Sequence, residues 1–355
     1  KPTRGLRQKS SPKAPEPPSG PENHMKISNR HPAYLLEYSW SVVKGAPVGG
    51  VDYPRTFQEF RAWFPDESSC VEYLATLRWP GGFGCPRCGC GRSWRTAARQ
   101  WVCAECARRT SVTAGTVFHR SHSPLSTWFA AAWFVTATKN GVSAAGLQQQ
   151  LGFGSYETAW AWLHKLRRAM VRPGRDLLSG EVELDETFLG GVFPRTSGGT
   201  YTNKTPVMVA VERRGTSRLG RVRFEVGGPR PSPLKLVDFA TRVIQPGSTI
   251  HTDGAIALER LAGLGYTHRY TTGYTADDPD TVLPGVHLVA SLLKRWIAGT
   301  LQHSISAEHL GYYLDEYTFR FNRRTSRARG MLFYRLLQQA AATDPHPLKE
   351  LYSSR

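Results

Sequence analysis

Two Cys-x-x-Cys pairs, Cys85-Pro86-Arg87-Cys88 and Cys103-Ala104-Glu105-Cys106, are separated by fourteen residues. Each pair turns tightly enough to aim two thiolates at one ion, and two such knuckles complete a closed tetrahedral site for structural zinc. Cys85, Cys88, Cys103 and Cys106 are therefore the expected Zn²⁺ ligands. With no open position, the ion would hold together an Arg-rich segment that has little core of its own. Cys70 and Cys90 fall outside this set and read as free thiols. A second chemistry is suggested by Asp185, inside an apolar stretch, and Asp253, in Thr252-Asp253-Gly254. Two carboxylates a few ångströms apart repel unless a cation lies between them, and such pairs hold Mg²⁺ or Mn²⁺ with water and substrate phosphate. Asp before Gly is by itself an ordinary turn signal, so the argument depends on the elements that carry the two residues.

Those elements follow from periodicity. Alternating or continuous apolar patterns predict strands at 181–188, 206–211, 221–226, 248–251 and around 268–271. A helix is expected at 234–244, another around 258–264, and more from 287 onward. Three strands, a helix, a strand and further helices are the order of a ribonuclease-H-like α/β fold with a mixed sheet. In that order Asp185 in the first strand lies beside Asp253 at the end of the fourth. Glu183 points to the same side as Asp185 and reads as an exposed strand acid or as a group supporting its neighbour. Ahead of this domain, 124–139, a short stretch capped by Ser143 and ended by Gly152, and a stretch capped by Ser155 read as three helices. The last two resemble a helix-turn-helix, with Tyr156, Glu157, Thr158 and Trp160 at the start of its second helix.

The chain has 355 residues, with 46 Lys and Arg against 28 Asp and Glu, a net charge of +18. An excess of this size favours polyanionic partners, chiefly nucleic acid, and with the helix-turn-helix reading the expected partner is double-stranded DNA. The charge is clustered: between Arg78 and Arg120 lie eight arginines and one acid, Glu105. Arg87, Arg92 and Arg95 in the ribbon, and Lys165, Arg167 and Arg168 on the outer face of the third helix, are the expected DNA contacts. No run of about 20 apolar residues suggests a membrane span, so a cytoplasmic, nucleoid-associated location is expected. The expected segments are a disordered basic tail at 1–50, a helical lead-in and ribbon at 51–118, a DNA-binding helical region at 119–176, a catalytic domain at 177–342 and a tail at 343–355.

Several stretches resemble the bacterial insertion-sequence transposases that join a zinc ribbon to a catalytic domain of the Asp-Asp-Asn/Glu kind, relatives of the eukaryotic Merlin elements. They are Leu77 to Pro86, Glu183-Leu184-Asp185-Glu186-Thr187-Phe188-Leu189-Gly190-Gly191, His251-Thr252-Asp253-Gly254, Leu293-Lys294-Arg295-Trp296 and Tyr313 to Arg324. The resemblance implies metal-dependent cleavage at element ends, transfer of 3′-hydroxyls into target DNA, and a homo-oligomer assembled on DNA. It makes Asp185 and Asp253 the metal ligands and Lys294 a phosphate contact. The sequence departs from the family pattern at two points. Ser-Asn-Leu-Lys is here Ser291-Leu292-Leu293-Lys294, and Gly-Thr-His is here Gly299-Thr300-Leu301. Leucine cannot ligate a metal. His287, Asp277, Asp278, Asp280 and Glu308 remain as other sources of a third group. The alternative is a derivative that binds DNA but has lost strand cleavage.

Overall fold

A computed structural model arranges the described strands in two sheets, a small ribbon sheet and a larger mixed sheet built on apolar alternation. The structure describes residues 47, 49, 51–172, 174–190, 204–215, 218–228, 232–254, 256–271, 282–302, 305–326 and 328–353. The expected basic tail lies almost wholly outside the described residues, as do Asp277, Asp278 and Asp280.

The sheet contains β4 (Glu181–Leu189), β5 (Thr205–Arg214), β6 (Arg218–Val226), β7 (Thr249–Thr252) and β8 (Thr267–Tyr270), preceded in the chain by the ribbon strands β1 (Ser93–Arg95), β2 (Trp101–Cys103) and β3 (Arg109–Thr110). Its order is β6-β5-β4-β7-β8. The first three strands run antiparallel to their neighbours, and β7 and β8 run parallel to β4 and to each other. This is the ribonuclease-H-like sheet expected from the sequence. Even-numbered residues of β4, Val182 and Leu184, pack with Met208 and Ala210 against α6 (Pro233–Val243). Odd-numbered β5 residues, Val207, Val209 and Val211, pack on the other face against α8 (Pro284–Leu301) and α9 (Leu310–Phe321). A short helix, α7 (Arg260–Gly263), leads into β8. Burial on both faces explains why β5 reads as a continuous apolar run from Pro206 to Val211.

A separate helical core precedes the sheet. It joins α1 (Phe57–Trp63), α2 (Glu67–Arg78), α3 (Leu125–Ala137), α4 (Ala144–Leu151) and α5 (Tyr156–Ala169). The caps are those the sequence suggested: Ser143 and Ser155 accept from Gly146 N and Thr158 N, and Gly152 ends α4 in the left-handed region. The chain then returns to this core. Leu332, Phe333, Leu336, Leu337 and Ala340 of α10 (Arg329–Ala342) pack among α2 and α3. The segment expected to close the catalytic domain thus completes the helical core, because its apolar stripe matches the aromatic face of Phe60, Phe64, Phe129 and Trp133. The expected polar tail also carries a helix, α11 (Leu348–Ser353), and its Tyr352 stacks on Trp160. Among the described residues no helix is long and apolar enough to cross a membrane.

Helical core and sheet are joined by a buried ion cluster. Glu316 on α9 accepts from Arg167 Nε at 2.8 Å and from Arg320 Nε at 2.8 Å. Arg167 also lies over the Tyr313 ring. The expectation that Arg167 faces DNA is therefore corrected: the side chain is 2% exposed and committed to Glu316. His164, placed by helical spacing on the same outer face, is also buried, and burial together with Arg167 lowers its pKa to about 3. Burial pushes the Glu316 carboxyl up, but Arg320 and Arg167 together hold it below its usual value. Gly141 permits the close approach: its φ is +80°, and a Cβ there would meet Glu316 Oε1 at 2.8 Å. Removing one member of a buried ion pair leaves an uncompensated charge, costing roughly 3–5 kcal/mol. Glu316→Ala is expected to lower the urea-unfolding free energy by about that amount. A change under about 1 kcal/mol, the scale of an exposed pair, would show that the cluster is solvated in solution.

Candidate functional site

The ribbon is the simpler of the two sites. β1 pairs with β2 and β2 with β3, all antiparallel. This places Cys85 and Cys88 of one turn against Cys103 and Cys106 of the other. Their Sγ atoms lie 3.5–3.6 Å apart in the pairs Cys88–Cys103, Cys85–Cys106 and Cys88–Cys106. All four ligand atoms fall within 4.8 Å of one another. Four sulfurs about 2.3 Å from a central ion form a tetrahedron with edges near 3.8 Å, so the thiols fit structural Zn²⁺. Among the described residues this is the only group of three or more potential ligands gathered so closely. Cys90 Sγ instead accepts from Arg92 N, and Cys70 is buried in α2. The ribbon docks through Trp101, which packs edge-on to Trp79 and lies under the Arg95 guanidinium. Of the expected ribbon contacts, Arg87 is exposed, Arg92 pairs with Glu105, and Arg95 pairs with Glu72. On α5, Arg168 is exposed and Lys165 is half-buried.

The second site is set by strand register. The parallel pairing Glu181↔Thr249, Val182↔Ile250 and Glu183↔His251 runs on toward Asp185 and Asp253. Adjacent strands lie about 4.8 Å apart, so the two carboxylates meet where β7 ends. Their charges interact: burial first, then Asp253, push the Asp185 carboxyl up to about 6, although it accepts from Glu186 N at 2.7 Å. Glu186, on the opposite face of β4, is also raised by burial and by Asp253. Asp253 itself is exposed. A half-buried acid beside an exposed one is a donor set that suits a divalent cation shared with solvent and a phosphate.

The third element is α8. His287 in its first turn is close enough to lower the Asp185 carboxyl electrostatically. Lys235 of α6 acts in the same sense on Glu186. Val286, Val289, Ala290, Leu293 and Ile297 are the buried side of α8, and Leu292 packs beside them. His287 and Lys294, seven residues apart, share a stripe on the helix, and both are exposed. Leu292, two residues before Lys294, lies away from that stripe. His287 lies five residues before Leu292 and seven before Lys294.

Glu183 fixes the start of α8. It is buried, not exposed as the sequence suggested. Its carboxylate accepts from Arg213 Nη1 at 2.6 Å and from Val286 N at 2.7 Å. Gly285 allows this contact, since a Cβ there would lie 2.7 Å from Glu183 Oε2. The far end is tied by Trp296 Nε1 and Thr300 Oγ1, which both donate to Asn140 O at 2.8 Å.

Residues 177–322 match the ISXO2-like transposase domain, and residues 65–109 match the transposase zinc-ribbon domain. The chain carries an ISXO2-like transposase domain and a transposase zinc-ribbon domain. The two matches together cover more than half of this transposase. Among solved structures, it is similar to a chain in the cryo-EM structure of the simian T-cell lymphotropic virus intasome in complex with PP2A regulatory subunit B56 gamma. The identity is 15% and the TM-score 0.27, covering 50% of this chain and 64% of that one, less than two thirds of its length. No curated protein matches the chain.

The ribbon geometry predicts that the purified transposase carries tightly bound zinc, released by a thiol-modifying reagent and detected by a chromogenic chelator. Cys103→Ser should abolish that zinc and open the Trp101 environment, seen as a red-shifted tryptophan emission. Full zinc content in Cys103→Ser would contradict the four-thiolate site.

Proposed function

We propose that this transposase binds the ends of a DNA element and carries out metal-dependent strand cleavage followed by transfer of 3′-hydroxyls into target DNA. The observation that carries the reading is the carboxylate pair Asp185 and Asp253, on neighbouring parallel strands of a ribonuclease-H-like sheet. These two residues would hold Mg²⁺ or Mn²⁺. A cation so held would activate the attacking water or 3′-hydroxyl and stabilise the leaving oxygen. Asp185, half-buried, orients one oxygen through Glu186 N and leaves the other for the ion. His287 supplies the third group in place of Leu292, as an imidazole that can ligate or take a proton from the attacking hydroxyl. Lys294, on the same stripe of α8, contacts the scissile phosphate as a point charge. Glu183 is a positioning residue: by holding Val286 N it fixes the turn that carries His287. Arg87, Arg92, Arg95, Lys165 and Arg168 make phosphate contacts, which set position and not sequence, and the protein acts as a homo-oligomer on two DNA ends.

The test is cleavage of a plasmid carrying the native flanking DNA, with Mg²⁺ or Mn²⁺. Asp185→Ala and His287→Ala should each cut at least about a hundredfold more slowly, because positioning carries most of the rate. Leu292→Asn should not speed cutting. If His287→Ala cuts like the natural chain, the assignment of His287 fails. If only Leu292→Asn cuts, the chain is the derivative that binds DNA and has lost catalysis at that position.

A further inference from the structure

A cavity of about 410 Å³ opens between the end of α5, the edge strand β6 and the helices α9 and α10. It is far larger than the ~30 Å³ of one water molecule. Arg172, Arg175, Arg221, Arg223, Arg323 and Arg335 line it, with Asp176 as the one acid of the lining. None of these arginines is among the DNA contacts named above, and they come from four separate stretches of chain. Asn322 closes one wall by pairing with both backbone groups of Val222 on the strand edge.

The charges in this cavity are unevenly answered. Arg221 is held by Glu212, at 2.5 Å, and lies 3.8 Å from Asp176. Asp176 lies 3.6 Å from Arg172 and is itself largely exposed. Arg175 has Asp315 and Glu225 within electrostatic reach, and Asp315 is pushed up to about 7 by burial. Arg323 is different. The charged groups acting on it are Arg335 and Arg172, both repulsive, and burial with these two lowers it to about 10. Arg223, buried beneath, is lowered to about 10 by burial, Arg175 and Arg221, against weaker support from Glu212 and Asp176. Gathering guanidinium groups in one cavity against their mutual repulsion is costly unless an anion completes the set. Planar guanidinium forks suit phosphate oxygens.

We propose that this cavity seats a backbone phosphate of duplex DNA, clamping the DNA at the seam between the helical core and the catalytic sheet. The bound group is a phosphodiester. Arg323 and Arg223 form the floor, and the exposed Arg172 and Arg335 form the rim that meets the rest of the backbone. The site lies where α5 hands over to the sheet, at its β6 edge. The inference rests on the DNA-binding part of the proposed function but not on strand cleavage.

The test uses the full chain, without Mg²⁺ or Mn²⁺, and a labelled duplex of arbitrary sequence titrated at several salt concentrations. Arg335→Gln removes an exposed side chain and should not unfold the protein. Each lost phosphate contact lowers the slope of log affinity against log salt by about 0.9. Arg335→Gln should flatten the slope by roughly that amount, and Arg323→Gln/Arg335→Gln by about twice as much, with affinity down about tenfold at low salt. The exposed Arg61→Gln on α1 is the charge-matched control and should change less. An equal loss in Arg61→Gln would overturn the site, as would unchanged affinity and slope in the double variant. Inorganic pyrophosphate separates the two sources of phosphate. If it raises the melting temperature of the natural chain but not of the double variant, while duplex binding is the same in both, the cavity is a small-anion site and the DNA assignment is wrong. If the natural chain fails to bind duplex at all, the proposed function fails with it. Loss of cleavage in Asp185→Ala with intact duplex binding leaves this inference standing.

Discussion

Like charges placed side by side at the edge of a protein core must be answered by something. In this transposase the constraint falls on Asp185 and Asp253. The parallel pairing of β4 with β7 leaves no freedom to separate them, because sliding one strand by a residue would turn every side chain of β4 to the opposite face. Val182 and Leu184 would then leave the α6 core for the side of α8. The apolar alternation that holds the sheet therefore also holds the two acids together. The strain is visible in Asp185, whose carboxyl is pushed up to about 6 by burial and by its neighbour. His287 answers part of it, as Lys235 does for Glu186, and a divalent cation would answer the rest.

The same logic extends outward. His287 is useful only if α8 begins at the right place, and Glu183 sets that place from inside β4. Glu183 is in turn held by Arg213 of the neighbouring strand. At the other end, Asn140 ties α8 to the turn after α3. That turn sits against Glu316, Arg167 and Arg320, which join the helical core to α9. From Glu183 to the helical core the links are polar contacts between residues distant in sequence, buried at Val286 and Glu316 and exposed at Asn140. Buried contacts of this sort lock relative position more than they add stability, and cleavage chemistry depends chiefly on position.

The strands, the ribbon and the place of Asp185 and Asp253 were legible in the sequence because each rests on short-range signals: Cys spacing, two-residue alternation and a Thr-Asp-Gly strand end. Three features were not. Arg167 looked like part of a solvated basic face, since its partner Glu316 lies 149 residues further along the chain. The helix α10 looked like the end of the catalytic domain, since nothing local shows that its apolar stripe fits Phe60 and Phe129 better than the sheet. Glu183 looked like a surface acid because an isolated charge in a strand carries no mark of the Arg213 and Val286 groups that bury it. Each miss is a long-range partnership, and charged residues are the ones whose burial depends most on such partners.

The central claim is that Asp185 and Asp253 jointly hold a divalent cation. The direct measurement is Mn²⁺ binding followed by electron paramagnetic resonance, on the zinc-loaded full chain and on Asp185→Asn and Asp253→Asn. The account predicts that the natural chain quenches the free Mn²⁺ signal at concentrations where both variants leave it unchanged, with zinc content equal in all three. Equal Mn²⁺ binding by the natural chain and both variants would contradict it.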